Sequence, residues 1–409
     1  MNDIDIEQQA VDAVLMGQQA FCKFLSANDS GESGSHQAGI YIPKTSIPII
    51  FDQPGHKGEN KEKWVKISWQ GGAIETKTRF IYYGQGSRNE YRITNFGKGF
   101  PLIRPAYTGA LFVLVKKDPE NYEAFVLNTD DEIHYFLDSF GMTPAETNRL
   151  VNSDKVSPDY IEEIEINDFI SHLQTDFPVS ESMSKEARLI TYCRLLNKSK
   201  SEIENNVSRV NQLIESDPDK ILLEWTEEEF RLFHAIEKSR YGEEIKQGFS
   251  TVDDFIILAN KVLNRRKSRA GKSLEHHLAA IFDGNNIRYT PQAVTEGNKK
   301  PDFIFPSEED YHNAEFSIDK LCSLAAKTTC KDRWRQILNE GDRFKGRYKY
   351  LCTMQQGISS AQMDEMEAEK VILVVPKTYI ACYPKDKQDR IWTISKFIQF
   401  VREMEDING

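Results

Sequence analysis

Six cysteines (Cys22, Cys193, Cys322, Cys330, Cys352 and Cys382) lie scattered through 409 residues without one CxxC pair. That speaks against a zinc ribbon and a disulfide framework, and for a reducing compartment. No apolar run approaches the roughly 18 residues a spanning helix needs, so no membrane role is expected. The opening MNDIDIEQQA is acidic where an export signal would be basic, and a cytoplasmic protein is the expectation. Internal repeats and low-complexity tracts are missing too. What is present is ordinary for a folded chain: 39% hydrophobic and 28% charged residues, enough for real cores and too apolar for wholesale disorder. At about 150 residues per domain, two or three domains are expected.

A net positive charge is also missing. The formal charge is −11, which on its face argues against a nucleic-acid partner. Local counting reverses the impression. Residues 77–104 carry six cations against Glu90, residues 261–275 six against Glu275, and residues 327–349 eight against Asp332, Glu340 and Asp342. Each stretch is interleaved with Ser, Asn, Thr or Gly donors. A polyanion needs a local positive face, and an acidic remainder limits promiscuous binding. Any one such run also suits a solvated surface.

The pattern changes along the chain. Residues 4–25 read as an amphipathic helix. Short β-branched and aromatic runs follow at 41–43, 64–69, 78–83, 110–115 and 122–127, spaced as in a β-barrel or sandwich. Helical patterns return at 130–139 and 143–152. An acidic stretch at 159–168 and linker composition at 176–182 then place a boundary near residue 180. Beyond it, 184–216 and 225–264 are mainly helical, and 273–282 is an amphipathic helix. Strands at 301–305, 321–327, 348–353 and 371–375 alternate with helices at 332–343, 359–369 and 395–405. That is an α/β layout.

One constellation there can do chemistry. Asp302 stands at the start of the apolar strand Pro301–Phe305, Lys327 ends the next one, and Glu340 sits thirteen residues on. Neighbouring strands lie about 4.8 Å apart, so Asp302 and Lys327 can share a pocket. Carboxylates suit Mg²⁺, which keeps several waters and takes oxygen ligands, and a Lys can orient a water and oppose developing charge. Singly, each residue has a plainer use: a turn Asp, a solvated Lys, a surface Glu. Next in line, Lys331-Asp332-Arg333 offers donors for guanine O6 and N7 and an acceptor for cytosine N4. The same Asp332 also suits a helix start.

These residues carry a resemblance. Leu25–Asp29, His36–Pro43 and Arg88–Thr94 in the first half, and Asn264–Glu275, Thr295–Phe303 and Lys327–Glu340 in the second, are similar to the EcoRII-type (type IIE) restriction endonucleases. The resemblance implies an N-terminal, mainly β DNA-binding pseudobarrel of the plant B-three type over residues 1–176 and a linker at 177–184. It implies a C-terminal α/β nuclease of the PD-(D/E)xK kind over 185–409. It makes Asp302, Lys327 and Glu340 the catalytic set, with Asp302 and Glu340 holding Mg²⁺, Glu275 a further acid and Tyr311 an active-site tyrosine. Lys331, Asp332 and Arg333, with Arg269 and Lys272, would contact target DNA. His36, Tyr41, Arg79, Arg88, Glu90 and Arg92 would contact a second, effector copy of the site. One departure stands out: the usual second acid would sit two residues before Lys327, where this chain has Ala325, so Glu340 must take its place.

The expected function is thus Mg²⁺-dependent, site-specific cleavage of double-stranded DNA at a CCWGG-like sequence (W is A or T), cut before the first C. The expected assembly is a homodimer, because a near-palindrome presents two equivalent half-sites. The N-terminal domain is expected to hold the catalytic cleft shut until effector DNA binds. No nucleotide cofactor is called for. The rival reading is a sequence-specific DNA-binding regulator with an inactive nuclease fold. An RNA-binding or repair nuclease fits less well, since no aromatic stacking motif stands out.

Overall fold

The computed structural model describes residues 5–32, 39–151, 160–173 and 177–406. Its first half is built on eight strands: β1 (Gln19–Phe24), β2 (Ile40–Ile42), β3 (Lys61–Trp69), β4 (Ile74–Tyr83), β5 (Glu90–Thr94), β6 (Leu111–Lys116), β7 (Asn121–Leu127) and β8 (Arg149–Val151). They form one sheet in the order β2-β5-β4-β3-β7-β6-β1-β8. The pairings are antiparallel except for β3 with β7. Among the described residues the edges β2 and β8 do not pair, so this is an open half-barrel. Alternate residues serve opposite faces. Phe21, Ile67, Phe80, Ile93, Phe112 and Leu114 fill the interior, while Cys22, Val113, Val115 and Phe125 pack on the helices Ile6–Met16 and Asp130–Ser139.

Two expectations change here. The helix expected over 4–25 stops at Met16. Gly17 then passes so close to Val115 and the Ala13 carbonyl that a Cβ would clash with both. The apolar run after it becomes β1, drawn into the sheet between β6 and β8. The helix expected over 143–152 is a 3-10 turn at Pro144–Glu146 followed by β8.

The second half holds a five-stranded sheet of β9 (Thr290–Pro291), β10 (Phe303–Phe305), β11 (Cys322–Lys327), β12 (Lys349–Thr353) and β13 (Val371–Val374), side by side in chain order. β11, β12 and β13 run parallel and β10 antiparallel to both neighbours. One face packs Leu324 and Tyr350 against Leu278, Phe282 and Phe397. The other packs Ala325, Leu351 and Leu373 against Met363, Met366 and Trp334. Flanking helices include Ser180–Leu196, Pro218–Gln247, Val252–Gly284, Ser360–Ala368 and Ile394–Asp406. The expected linker at 177–184 is partly the first turn of helix Ser180–Leu196, with Met183 and Ser184 buried. The helix expected over 332–343 is two 3-10 segments, Arg333–Asn339 and Asp342–Phe344, broken at the extended Gly341. Among the described residues no helix is long and apolar enough to cross a membrane.

Candidate active site

Asp302 occupies the bend just before β10 and is buried. Because Phe303 pairs with Leu324, Asp302 lies beside the end of β11. Its Oδ2 accepts the Ala326 amide at 2.8 Å and the Lys327 ammonium at 2.9 Å. Its Oδ1 accepts from the Gln292 side chain at 3.1 Å. The same Gln292 amide donates to Glu275 Oε2 at 2.9 Å, so two carboxylates from distant segments meet at one nitrogen. Glu275 is raised above the usual carboxylate range by burial and by the Asp302 charge, against Gln292 and Lys327, which lower it. Glu340 completes the group. Burial pushes its carboxyl up to about 7, with Asp302 adding to the rise and Lys327 and Lys349 opposing it. Ala325 is two residues before Lys327 and so shares its side of β11. No carboxylate stands there, and Glu340 arrives from the following segment instead.

A cluster that strains to hold its negative charge is a cluster that accepts a cation. Among the described residues no three His, Cys, Asp or Glu side chains close into a ready-made metal cage. Mg²⁺ needs only one or two carboxylates and leaves its other positions to water and phosphate oxygens. The donors present fit such an ion.

Tyr311 does not join them. It is buried in helix Glu308–His312, and its hydroxyl donates to Glu296 at 2.6 Å. Burial and that carboxylate push it up to about 12.

The expected target contacts face the N-terminal half. Lys331 is buried, and its ammonium donates to the Thr108 carbonyl at 3.0 Å and Asn128 Oδ1 at 2.8 Å. Asp130, in the first turn of helix Asp130–Ser139, accepts the backbone amides of Lys331, Asp332 and Arg333, and Asp332 accepts the Asp130 amide at 3.2 Å. Arg333 pairs with Asp131 at 3.1 Å. His134 meets the Thr328 and Thr329 hydroxyls at 3.3 and 3.0 Å. Arg269 is buried 3.6 Å from the Glu146 carboxylate and lies over the Phe233 ring. Lys272 is exposed, one turn before Glu275.

In the half-barrel, Tyr41 pairs with Arg92, Arg79 with Thr94 and Tyr83 with Glu90. Directly paired residues point to one face, so Tyr41, Arg79, Glu90 and Arg92 share a surface. Arg92 is buried, bonded to the Gly39 carbonyl at 3.0 Å and Glu90 at 3.2 Å. Arg88 lies over the Tyr83 ring beside that surface. His36 falls outside the described residues.

Sequence reasoning missed Gln292, Asp130 and Glu146. Only the first left a trace, in its place ten residues before Asp302; the other two are identified by partners about 120 to 200 residues away.

Comparison with known proteins shows the family of the chain. Residues 15–141 match the family model for the N-terminal domain of restriction endonuclease EcoRII, and residues 233–398 the one for the EcoRII C terminus. A type II restriction enzyme, EcoRII of Escherichia coli, is 36% identical over 395 residues, 92% of each chain. Among solved structures, metal-depleted Ecl18kI in complex with uncleaved, modified DNA aligns at 18% identity and TM-score 0.44, over 62% of this chain and 87% of its own. The B3 domain of the UbaLAI restriction endonuclease with cognate DNA aligns at 18% identity and TM-score 0.21, over 30% of this chain and 77% of its own. The class is therefore a site-specific DNA endonuclease with a separate N-terminal β domain. The chain belongs to the EcoRII family of type II restriction endonucleases.

Proposed function

We propose that this chain is a Mg²⁺-dependent nuclease of the PD-(D/E)xK kind that cuts both strands of DNA at a CCWGG-like site as a homodimer. Its half-barrel would bind a second copy of the site and restrain the catalytic half until it does so. The observation that carries the reading is the 2.9 Å contact of Lys327 with Asp302 beside the charge-strained Glu340. Asp302 and Glu340 would hold the metal, with Glu275 supporting the group through Gln292. A bound Mg²⁺ supplies a water of lowered pKa and neutralises charge growing at the phosphate. Lys327 orients the attacking water and adds positive charge beside the phosphate.

The restraint rests on a different observation. Lys331, Asp332 and Arg333 can read bases in the major groove only when they face DNA, and in this arrangement Asp130, Asp131, Asn128 and Thr108 hold them. Release requires effector DNA to bind the open arrangement better than the closed one. Digesting a plasmid of known sequence with Mg²⁺ and mapping the ends tests the specificity. Ends before the first C of CCWGG sites are expected, and ends scattered elsewhere refute it.

A further inference from the structure

Glu340 closes a 3-10 segment rather than an α-helix. The flanking segments are 3-10 turns, and its own amide makes only a long 3.3 Å bond to the Ile337 carbonyl. The loop carrying Thr295 and Glu296 ties this stretch down from outside. The Thr295 hydroxyl donates to the Glu340 carbonyl at 2.7 Å. Glu296 Oε2 accepts the Asp342 amide at 2.9 Å and the Tyr311 hydroxyl at 2.6 Å. Between them Gly341 lies so close that a Cβ would stand 2.8 Å from the Phe344 ring and 3.0 Å from the Tyr311 hydroxyl. The same loop runs on through Pro301 into Asp302. Both carboxylates are therefore rooted in one stretch of chain, and Glu296 is the group that ties its far side down.

We propose that Glu296 is a positioning residue: by clamping Asp342 and Tyr311 it fixes Glu340 opposite Asp302, and so sets the affinity of the site for a divalent cation. The inference rests on the reading of Glu340 as a metal carboxylate. It also gives Tyr311 a role without chemistry, as the second donor that orients Glu296. Groups that orient a metal ligand from behind typically change metal affinity about 10–100-fold when removed.

The test uses the full chain with Glu296→Ala, Glu296→Gln and Tyr311→Phe. Calcium binding to the complex with a CCWGG duplex is followed by calorimetry, alongside the Mg²⁺ concentration that half-saturates cleavage and duplex affinity in EDTA. Glu296→Ala should weaken Ca²⁺ binding and raise the half-saturating Mg²⁺ by about tenfold or more, while duplex affinity in EDTA stays as in the unaltered chain. Glu296→Gln should restore most of the Ca²⁺ affinity, because its carbonyl oxygen accepts the same two bonds. Should Glu296→Ala fail to fold, Tyr311→Phe removes one donor and should still weaken Ca²⁺ binding measurably. Calcium affinity unchanged in both Glu296→Ala and Tyr311→Phe overturns the inference, as does a Gln variant as impaired as Ala. An unaltered chain that binds no Ca²⁺ and cuts without Mg²⁺ would instead remove the metal reading itself.

Discussion

Glu340 shows how much a single side chain records about its surroundings. Its folded pKa, pushed up to about 7 by burial and the Asp302 charge, stands above the value it takes in the unfolded chain. The folded form therefore holds a proton that the unfolded form has released, and stability falls as pH climbs from about 4.5 toward 7. Without a divalent cation, Glu340→Gln should melt higher than the unaltered chain at pH 8, by roughly 1–2 kcal/mol after allowance for solvent screening. The gap should close by about pH 5. Melting curves in EDTA across that range check it, and a gap that widens toward acid contradicts the sign. Asp302 and Lys327 drew notice in the sequence as an acid and a base at the ends of neighbouring apolar strands, though each alone has a plainer use, and the fold brings them to 2.9 Å. Gln292 was not, since an amide carries no charge signal and its value comes from touching Glu275 and Asp302 at once.

At the scale of elements, alternation and composition revealed most strands, and local contacts decided the exceptions. β1 looked helical because its apolar residues continue those of helix Ile6–Met16, and the partners that make it a strand are on β6 and β8. The segment after Asp332, expected as a helix, forms two 3-10 segments on either side of the extended Gly341, with Thr295 and Glu296 bonded to Glu340 and Asp342. Arg343 does the complementary work, donating to the carbonyls of Asp310, Tyr311, Asn313 and Phe316 around the end of helix Glu308–His312. Several charge-assisted bonds from one guanidinium make a strong tie. Arg343→Ala should lower stability by about 2–3 kcal/mol, read as a shift of the denaturant midpoint. A midpoint shift of a few tenths of a kcal/mol would show that water replaces those bonds.

Across the whole molecule, the two halves meet where DNA is expected to lie, and no pattern in the sequence announces it. Asp130 is a first-turn acid of a capped helix. Only the fold reveals that it gathers three successive amides from the far half of the chain. Asp130→Ala in the full chain should raise cleavage of a single-site substrate in the absence of effector DNA by about tenfold, the worth of roughly 1.4 kcal/mol of lost contact. Single-site cleavage that does not rise would mean the contact does not restrain the enzyme. The resemblance in the sequence led to Lys331, Asp332 and Arg333, but not to Asp130, Asn128 and Thr108, which hold them.

In the proposed reaction Lys327 and Asp302 act together at a divalent cation. Supercoiled plasmid incubated with Mg²⁺ and the Lys327→Ala chain should stay uncut, although the same protein still shifts a CCWGG duplex in a gel, whereas the unaltered chain linearises the plasmid. Lys327→Ala cutting at the rate of the unaltered chain would contradict it.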